Sequence, residues 1–238
     1  MPDYLTEHFG LQGKVAALTG AGGYLVSEMS LALAKAGVKV AALDINLEDA
    51  ERVAAKIRED GGEAIALKVD VTQKADFVRA LDEILETFGD LDYAVFGANL
   101  NAPTPFLDIP EDEWDRVLDT NLKGTWIVSK AAYPHIKARG GGKVINIGSM
   151  FSVFGSEYAS PYASSKGGVV QLTKSLAISW AKDNIQVNVI LPGWIHTDMT
   201  AAFLRIYPER EEMIAQRTPA GRWGNPDELV GPALFLAS

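Results

Sequence analysis

Tyr162 and Lys166 stand at i and i+4, with Ser149 upstream of both. On a helix such a pair shares one face, so an ammonium would rest beside a phenol and favour the phenolate. A free phenol titrates at about pH 10, and a positive neighbour is what would make it a proton acceptor around neutrality. Ser149 follows the apolar run Lys143 to Ile147, and its hydroxyl could hold a substrate oxygen there. Together the three suit proton removal from an alcohol, with hydride leaving the carbinol carbon for a nicotinamide. An isolated Tyr-x-x-x-Lys match is most often a surface pair on an amphipathic helix. Here the pair opens a helix after a Ser-rich, Pro-containing loop, beyond a predicted strand end, where ligands of open α/β sheets bind.

A second constellation is Thr19-Gly20-Ala21-Gly22-Gly23, followed by Tyr24 and Leu25 at a predicted helix start, with Asp44 closing the next strand. Gly20, Gly22 and Gly23 would let the backbone approach a pyrophosphate, and the helix start would supply unpaired N–H groups and positive potential. Asp44 could accept from the adenosine ribose hydroxyls and would repel a 2′-phosphate. No Lys or Arg occurs between Thr19 and Met29, so NAD is preferred and NADP disfavoured. Taken alone, the glycines could simply make a tight βα turn, with Asp44 capping the following helix.

The elements that must position these residues repeat as an apolar run, a turn and an amphipathic helix. Val15 to Leu18 precedes a helix over Leu25 to Ala36, and Val38 to Leu43 precedes Leu47 to Glu59. The alternation continues through the strand Ala64 to Val69, the helix Lys74 to Phe88, the strand Tyr93 to Phe96, a long helix from Glu111 to Lys137 and the strand Lys143 to Ile147. A helix from about Tyr162 to Lys182, a strand Gln186 to Leu191 and a helix after Asn225-Pro226 complete it. Such a pattern predicts an α/β fold, a single-domain, doubly wound parallel sheet with helices on both faces. Residues 191–224 lack a strand signal and carry aromatic residues, Arg and Pro, so they read as a substrate-covering segment of the same 1–238 domain.

With 238 residues, 47% of them hydrophobic, the chain can bury one large core, and global disorder is excluded. A formal charge of −9 argues against nucleic-acid or anionic-membrane partners. No cysteine is present, which excludes disulfides and thiolate metal sites and fits the cytoplasm; no metal site is expected. Met1 to Gly13 lacks a signal-peptide core, and no run approaches the roughly 18 apolar residues of a membrane span.

In order along the chain, Thr19-Gly20, Asp70-Val71, Asn121 in Asn-Leu-Lys-Gly, Ser149, Tyr162-Ala-Ser-Ser-Lys166 and Pro192-Gly193 with Thr197 resemble the short-chain dehydrogenase/reductase family over nearly the whole length. The resemblance implies a Rossmann-like fold, NAD-dependent oxidoreduction at a CH–OH group, and Asn121, Ser149, Tyr162 and Lys166 as the catalytic set. Asp70 and Val71 would then contact adenine, and Asn121 would position the lysine through a water and a helix distortion. Lys166 would also bind the nicotinamide ribose beside Tyr162. Ile195 and Thr197, after Pro192-Gly193, would hold the carboxamide. A homo-oligomer, dimer or tetramer, is implied as well.

Two of the family's three glycines are replaced, by Tyr24 and Val26, and the usual Asn-Asn-Ala-Gly stretch is Phe96-Gly97-Ala98-Asn99, with Asn99 beside the expected adenosine. The chain stops at Phe235-Leu236-Ala237-Ser238, where the family continues into a final strand, so that strand is either absent or lies beyond Ser238. The variant glycine turn and the segment Arg217-Thr-Pro-Ala-Gly-Arg-Trp-Gly224 are similar to the gluconate, deoxygluconate and mannonate type oxidoreductases. A hydroxyl-rich sugar acid or polyol would suit Asn99, Asn101, Ser152 and Glu157 near Ser149, Tyr162 and Trp194, and Arg205 or Arg210 could meet a carboxylate. Two rivals stand beside this expectation. Trp194, Phe203 and Tyr207 would suit an apolar cyclic ketone, steroid or acyl thioester. The altered glycine turn would suit a non-catalytic NAD(H)-binding regulatory protein.

Overall fold

The computed structural model describes residues 8–101 and 103–238; Met1 to Glu7, over which no signal peptide is expected, lie outside the described residues. Six strands, β1 (Val15–Thr19), β2 (Lys39–Asp44), β3 (Ala64–Lys68), β4 (Tyr93–Phe96), β5 (Gly142–Ile147) and β6 (Ile185–Ile190), form one sheet in the order β3-β2-β1-β4-β5-β6. Every pairing is parallel. Short apolar strands alternating with helices give this result because a parallel strand needs a crossover helix and is buried on both faces. β1 shows the consequence. Ala16 and Leu18 enter one core, Val15 and Ala17 the other, and all are buried.

On one face lie α1 (Tyr24–Lys35), α2 (Leu47–Glu59) and α9 (Val230–Ala237), which bring Met29, Leu33, Ile57 and Ala233 to the first core. On the other lie α3 (Lys74–Phe88) and α5 (Gly124–Ala138), which bring Phe77, Ile84 and Ile136 to the second, joined by Trp180 at the end of α6 (Ser160–Trp180). The arrangement is the Rossmann-like, doubly wound parallel sheet expected from the sequence. Strand order reverses between β1 and β4, so the carboxyl ends of β1, β4 and β5 splay around a crevice. None of the helices among the described residues is long and apolar enough to cross a membrane.

Two segments depart from the expected elements. The long helix predicted from Glu111 to Lys137 is α4 (Glu111–Leu118) and α5 joined by one π turn, Asp119–Lys123, centred on Asn121. Residues 191–224, expected to be irregular, hold two helices, α7 (Asp198–Ile206) and α8 (Arg210–Arg217). Thr197 caps α7, accepting from the Thr200 N–H at 3.3 Å.

The replaced glycine at position 26 has a structural counterpart. Val26 is buried, and a Cβ built on Gly97 would stand 2.3 Å from its Cγ2. The close approach of α1 to the end of β4 is therefore kept by removing a side chain from the strand end instead of from the helix. Gly97→Ala should destabilise by about 1–3 kcal/mol through overpacking. Adding Val26→Ala should recover part of that loss, giving a coupling of about 0.5–3 kcal/mol in a double-mutant cycle followed by urea midpoints. Additive losses would show that the two sites do not share this space.

Candidate active site

Ser149 follows β5 and starts a single 3₁₀ turn, Met150–Ser152, whose capping box uses both serines. The Ser149 hydroxyl accepts from the Phe151 N–H at 3.2 Å, while the Ser152 hydroxyl donates to Lys166 O at 2.8 Å. Ser152 thus ties the Ser149 turn to α6 and does not line the cavity above it, contrary to its expected place near a substrate. Pro192 O accepts from Met150 N at 2.8 Å, which ties the turn to the segment after β6 as well.

Tyr162 and Lys166 lie in the first turns of α6, and the lysine Nζ sits 5.5 Å from the centre of the tyrosine ring. Lys166 is 2% exposed and its Nζ donates to Ile147 O at 2.8 Å. No other acceptor reaches that nitrogen among the described residues, so an ammonium here keeps two of its three N–H donors available.

The electrostatics differ from the expected direction. Burial pushes the Tyr162 phenol up to about 12, and the hydrogen bond from Ser149 is what pulls against it. Lys166, stripped of water, is itself brought down to about 7. An amine half-discharged near neutrality is a weak field source, so the expected lowering of the phenol by Lys166 is not found in the protein by itself. Acceptors delivered to the two remaining N–H donors would restore the charge.

Asn121 is buried by the π turn and holds a main-chain segment on the far side of the site. Its Oδ1 accepts from Leu100 N at 2.8 Å, and its Nδ2 donates to Leu100 O at 2.9 Å and to the Ser165 hydroxyl at 3.0 Å. Ser165 in turn donates to Tyr162 O at 2.7 Å. Asn121, Ser165 and Tyr162 therefore form one buried chain. Its main-chain oxygen accepts from the Thr125 hydroxyl at 2.7 Å. The helix distortion that the sequence placed at Asn121 is present; neither it nor Lys166 lines a cavity directly.

A cavity of about 860 Å³ runs from the end of β1 past Asp44 to Ser149 and Tyr162, and onward to Gly193, Ile195 and Thr197. Gly20, at φ +70°, turns the chain there, and a Cβ on it would meet the Ala98 backbone at 2.8 Å. Gly23 caps α1 without a side chain, so the first-turn N–H groups of Tyr24 and Leu25 face the cavity wall uncapped. Asp44 accepts from Gly22 N and from Asn46 N, each at 3.0 Å. These features fit a dinucleotide: backbone room and free amides for a pyrophosphate, a carboxylate for ribose hydroxyls, and unspent lysine donors.

Several expected contacts lie elsewhere. Asp70 accepts from Thr72 N and the Thr72 hydroxyl, and Val71 is buried against the space of Gly124; neither lines this cavity. Asn99 lines it, donating to Gly97 O at 2.9 Å, and so stands away from the substrate side. Arg52, unnoticed in the sequence, also lines it and donates to Gly22 O at 2.9 Å. A cation in the second turn of the second helix has no motif to mark it.

A second cavity, of about 320 Å³, opens from Ser149 and Tyr162 under α7 and α8. Asn101, Glu157 and Trp194 line it as expected from the sequence, together with Arg210, whose Nη2 lies 3.1 Å from Glu157 Oε1 and 2.9 Å from the Tyr158 hydroxyl. Arg205 is exposed on α7 and does not reach it. Arg217, Phe151 and Phe203 line it without having been picked out as pocket residues, apart from Phe203 as a sign of an apolar substrate. The aromatic rings pack edge-on or tilted against one another: Trp194 lies 5.7 Å from Phe151, 5.5 Å from Phe203 and 5.1 Å from Trp223, centre to centre. Tyr207 packs on Tyr158 and Phe203 outside the cavity lining. Asn101 Oδ1 and Trp194 Nε1 are buried and have no hydrogen-bond partner among the described residues.

Residues 14–205 match the family model for short chain dehydrogenase. The chain is 38% identical to the 5-keto-D-gluconate 5-reductase of Escherichia coli (strain K12) over 237 residues, 98% of this chain and 92% of that protein. It superposes on an NAD+-bound xylitol dehydrogenase with a TM-score of 0.92 at 30% identity, covering 96% of this chain and 93% of the other. A solved structure from Beutenbergia cavernae with NADP bound at low occupancy superposes with a TM-score of 0.90 at 36% identity, covering 97% and 91%.

Proposed function

The chain belongs to the short-chain dehydrogenase family, and on that premise we propose that it is an NAD-dependent enzyme interconverting a secondary alcohol and a ketone on a sugar acid. Oxidoreduction at a CH–OH group with a nicotinamide cofactor follows from the family itself. The choice of NAD and of a sugar acid is our reading. So are the residue roles, the cytoplasmic setting that fits a cysteine-free chain, and a homo-oligomer that would cover exposed apolar groups such as Trp126 and Ile178.

One observation carries the substrate class. The cavity beyond Ser149 and Tyr162 is lined by Asn101, Ser156, Glu157, Thr200, Arg210 and Arg217 among its aromatic residues. A polar group that a ligand cuts off from water without pairing it costs about 1–3 kcal/mol. A substrate carrying several hydroxyls can pair such groups, whereas a steroid or apolar ketone would cover them unpaired. The aromatic rings that suggested an apolar substrate are largely engaged with one another. The 5-keto-D-gluconate 5-reductase relative points the same way.

In this reading Ser149 anchors the reacting oxygen and Tyr162 exchanges its proton. Lys166 holds the ribose through its spare N–H groups, and Asn121 fixes the frame through Leu100 and Ser165. The bound nicotinamide accepts or returns the hydride. Asp44 supports NAD, since a carboxylate at the ribose end of the cavity resists a second phosphate.

Spectrophotometric turnover of gluconate-like acids and polyols with NAD and NADP, and of lipophilic ketones with NADH and NADPH, tests the whole reading. Sugar acids with NAD are expected to give the highest kcat/KM. Preferential turnover of lipophilic ketones, or of any substrate with NADP, would sink the corresponding half.

A further inference from the structure

Helix α8 carries Arg210, Met213, Ile214 and Arg217 at i, i+3, i+4 and i+7, and all four line the cavity that contains Ser149 and Tyr162. Side chains at that spacing form one helix face, so α8 presents two guanidinium groups and an apolar stripe to the same space. The two arginines are not equivalent. Arg210 is spent: it bonds Glu157 and the Tyr158 hydroxyl, lies 5.1 Å from the centre of the Tyr158 ring and pairs with Glu209 at 3.8 Å. Arg217 has no hydrogen bond, ion pair or ring contact among the described residues. Only Glu157, Arg210 and Arg217 are charged among the residues around this cavity. Because Arg210 and Glu157 neutralise each other, the lining is left with one uncompensated positive charge.

We propose that Arg217 is the carboxylate anchor of the substrate, the residue that makes this enzyme choose an acid over the corresponding neutral polyol, while Arg210 serves only to brace α8 against the loop carrying Glu157 and Tyr158. The inference rests on the sugar-acid reading above and assigns its recognition to one side chain. A planar guanidinium can meet a carboxylate with two parallel N–H···O bonds, which gives an exposed side chain such as Arg217 a geometric selectivity beyond its charge alone. A lysine at the same position offers a point charge without the fork, so it restores part of the attraction only.

D-Gluconate and D-glucitol differ only at C1, carboxylate against hydroxymethyl, and give a matched pair. The experiment measures kcat and KM of both with NAD for the parent, Arg217→Met, Arg217→Lys and Arg210→Lys, with NADH binding followed by fluorescence to verify that each variant is folded. The parent is expected to favour gluconate. Arg217→Met should raise the gluconate KM by about 10- to 100-fold, the range of a lost charged hydrogen-bond pair, with a much smaller effect on kcat, so that the ratio of the two kcat/KM values collapses. Arg217→Lys should fall between, and Arg210→Lys should keep the preference. Retention of the gluconate preference by an Arg217→Met enzyme that binds NADH overturns the anchor, as does its loss in Arg210→Lys alone. A parent that favours glucitol overturns the sugar-acid reading itself and the anchor with it.

Discussion

A Tyr162→Phe enzyme is expected to lose turnover by about 10²- to 10⁴-fold in both directions, the usual worth of a positioned general acid or base, and to bind NADH as the parent does. The ring would remain packed against Phe151, 6.4 Å away and edge-on, so the fold has little reason to change. What disappears is the hydroxyl proposed to take a proton from the alcohol or return it to the ketone. The position of that hydroxyl also sets a pH dependence. Burial holds the phenol up to about 12, so the proton-accepting form grows as pH rises through the alkaline range, and the proton-donating form dominates below it. Alcohol oxidation by the parent should climb with pH and ketone reduction should fall. Initial rates in both directions between about pH 6 and 10 check this. A variant that keeps turnover, or a parent whose oxidation declines over that range, removes Tyr162 from the proton transfer.

Lys166→Met should be comparably inactive, about 10²-fold or more down, because it removes the spare N–H donors proposed to hold the cofactor ribose and the charge available to steady a phenolate. Its stability should move the other way. The buried lysine titrates at about 7 in the folded chain against its ordinary 10.5. Between those values the unfolded chain holds a proton that the folded chain has released, so parent stability rises with pH across that interval. Below about 7 both states are charged and the full penalty of burying an ammonium is present; above about 10.5 both are neutral and it is gone. Methionine never carries the penalty. Relative to the parent, Lys166→Met should therefore gain most near pH 7 and lose that advantage steadily toward 10.5. The unpaired Ile147 O of the variant subtracts a constant about 1–3 kcal/mol and does not alter the trend. Urea midpoints of both proteins at pH 7, 8.5 and 10 measure it. A difference that stays flat with pH would mean that Lys166 is not discharged by burial.

The parallel sheet was legible because apolar strands buried on both faces and amphipathic helices leave different periods in the sequence, and the strand ends fell within a residue or two of expectation. Tyr162, Lys166 and Ser149 were legible for a different reason: spacing on a helix start and a strand end already implies nearness. The cover over the substrate cavity was not. Pro192 to Gly224 carries prolines and aromatic residues that mask two short helices, each stabilised by packing and capping more than by its own propensity. With α8 unrecognised, the face shared by Arg210 and Arg217 could not be drawn, and Arg205, which points elsewhere, looked as suitable. The interruption at Asn121 was legible only through the family resemblance, because a π turn needs no breaker residue. Its cause is tertiary, the bonding of the Asn121 side chain to both polar groups of the Leu100 main chain.

Gly97 and Val26 also constrain history. A glycine in the helix and a larger residue at the strand end, or the reverse, fill the same volume, and each order is clash-free. Passing from one to the other by single substitutions allows only one route, in which the new glycine arises before the old one is lost; the opposite order sets a Cβ 2.3 Å from a valine methyl. A chain with glycine at both places is the clash-free intermediate, with a looser seam between helix and strand end, so Val26 can be reduced alone whereas Gly97 cannot take up a side chain until Val26 has been.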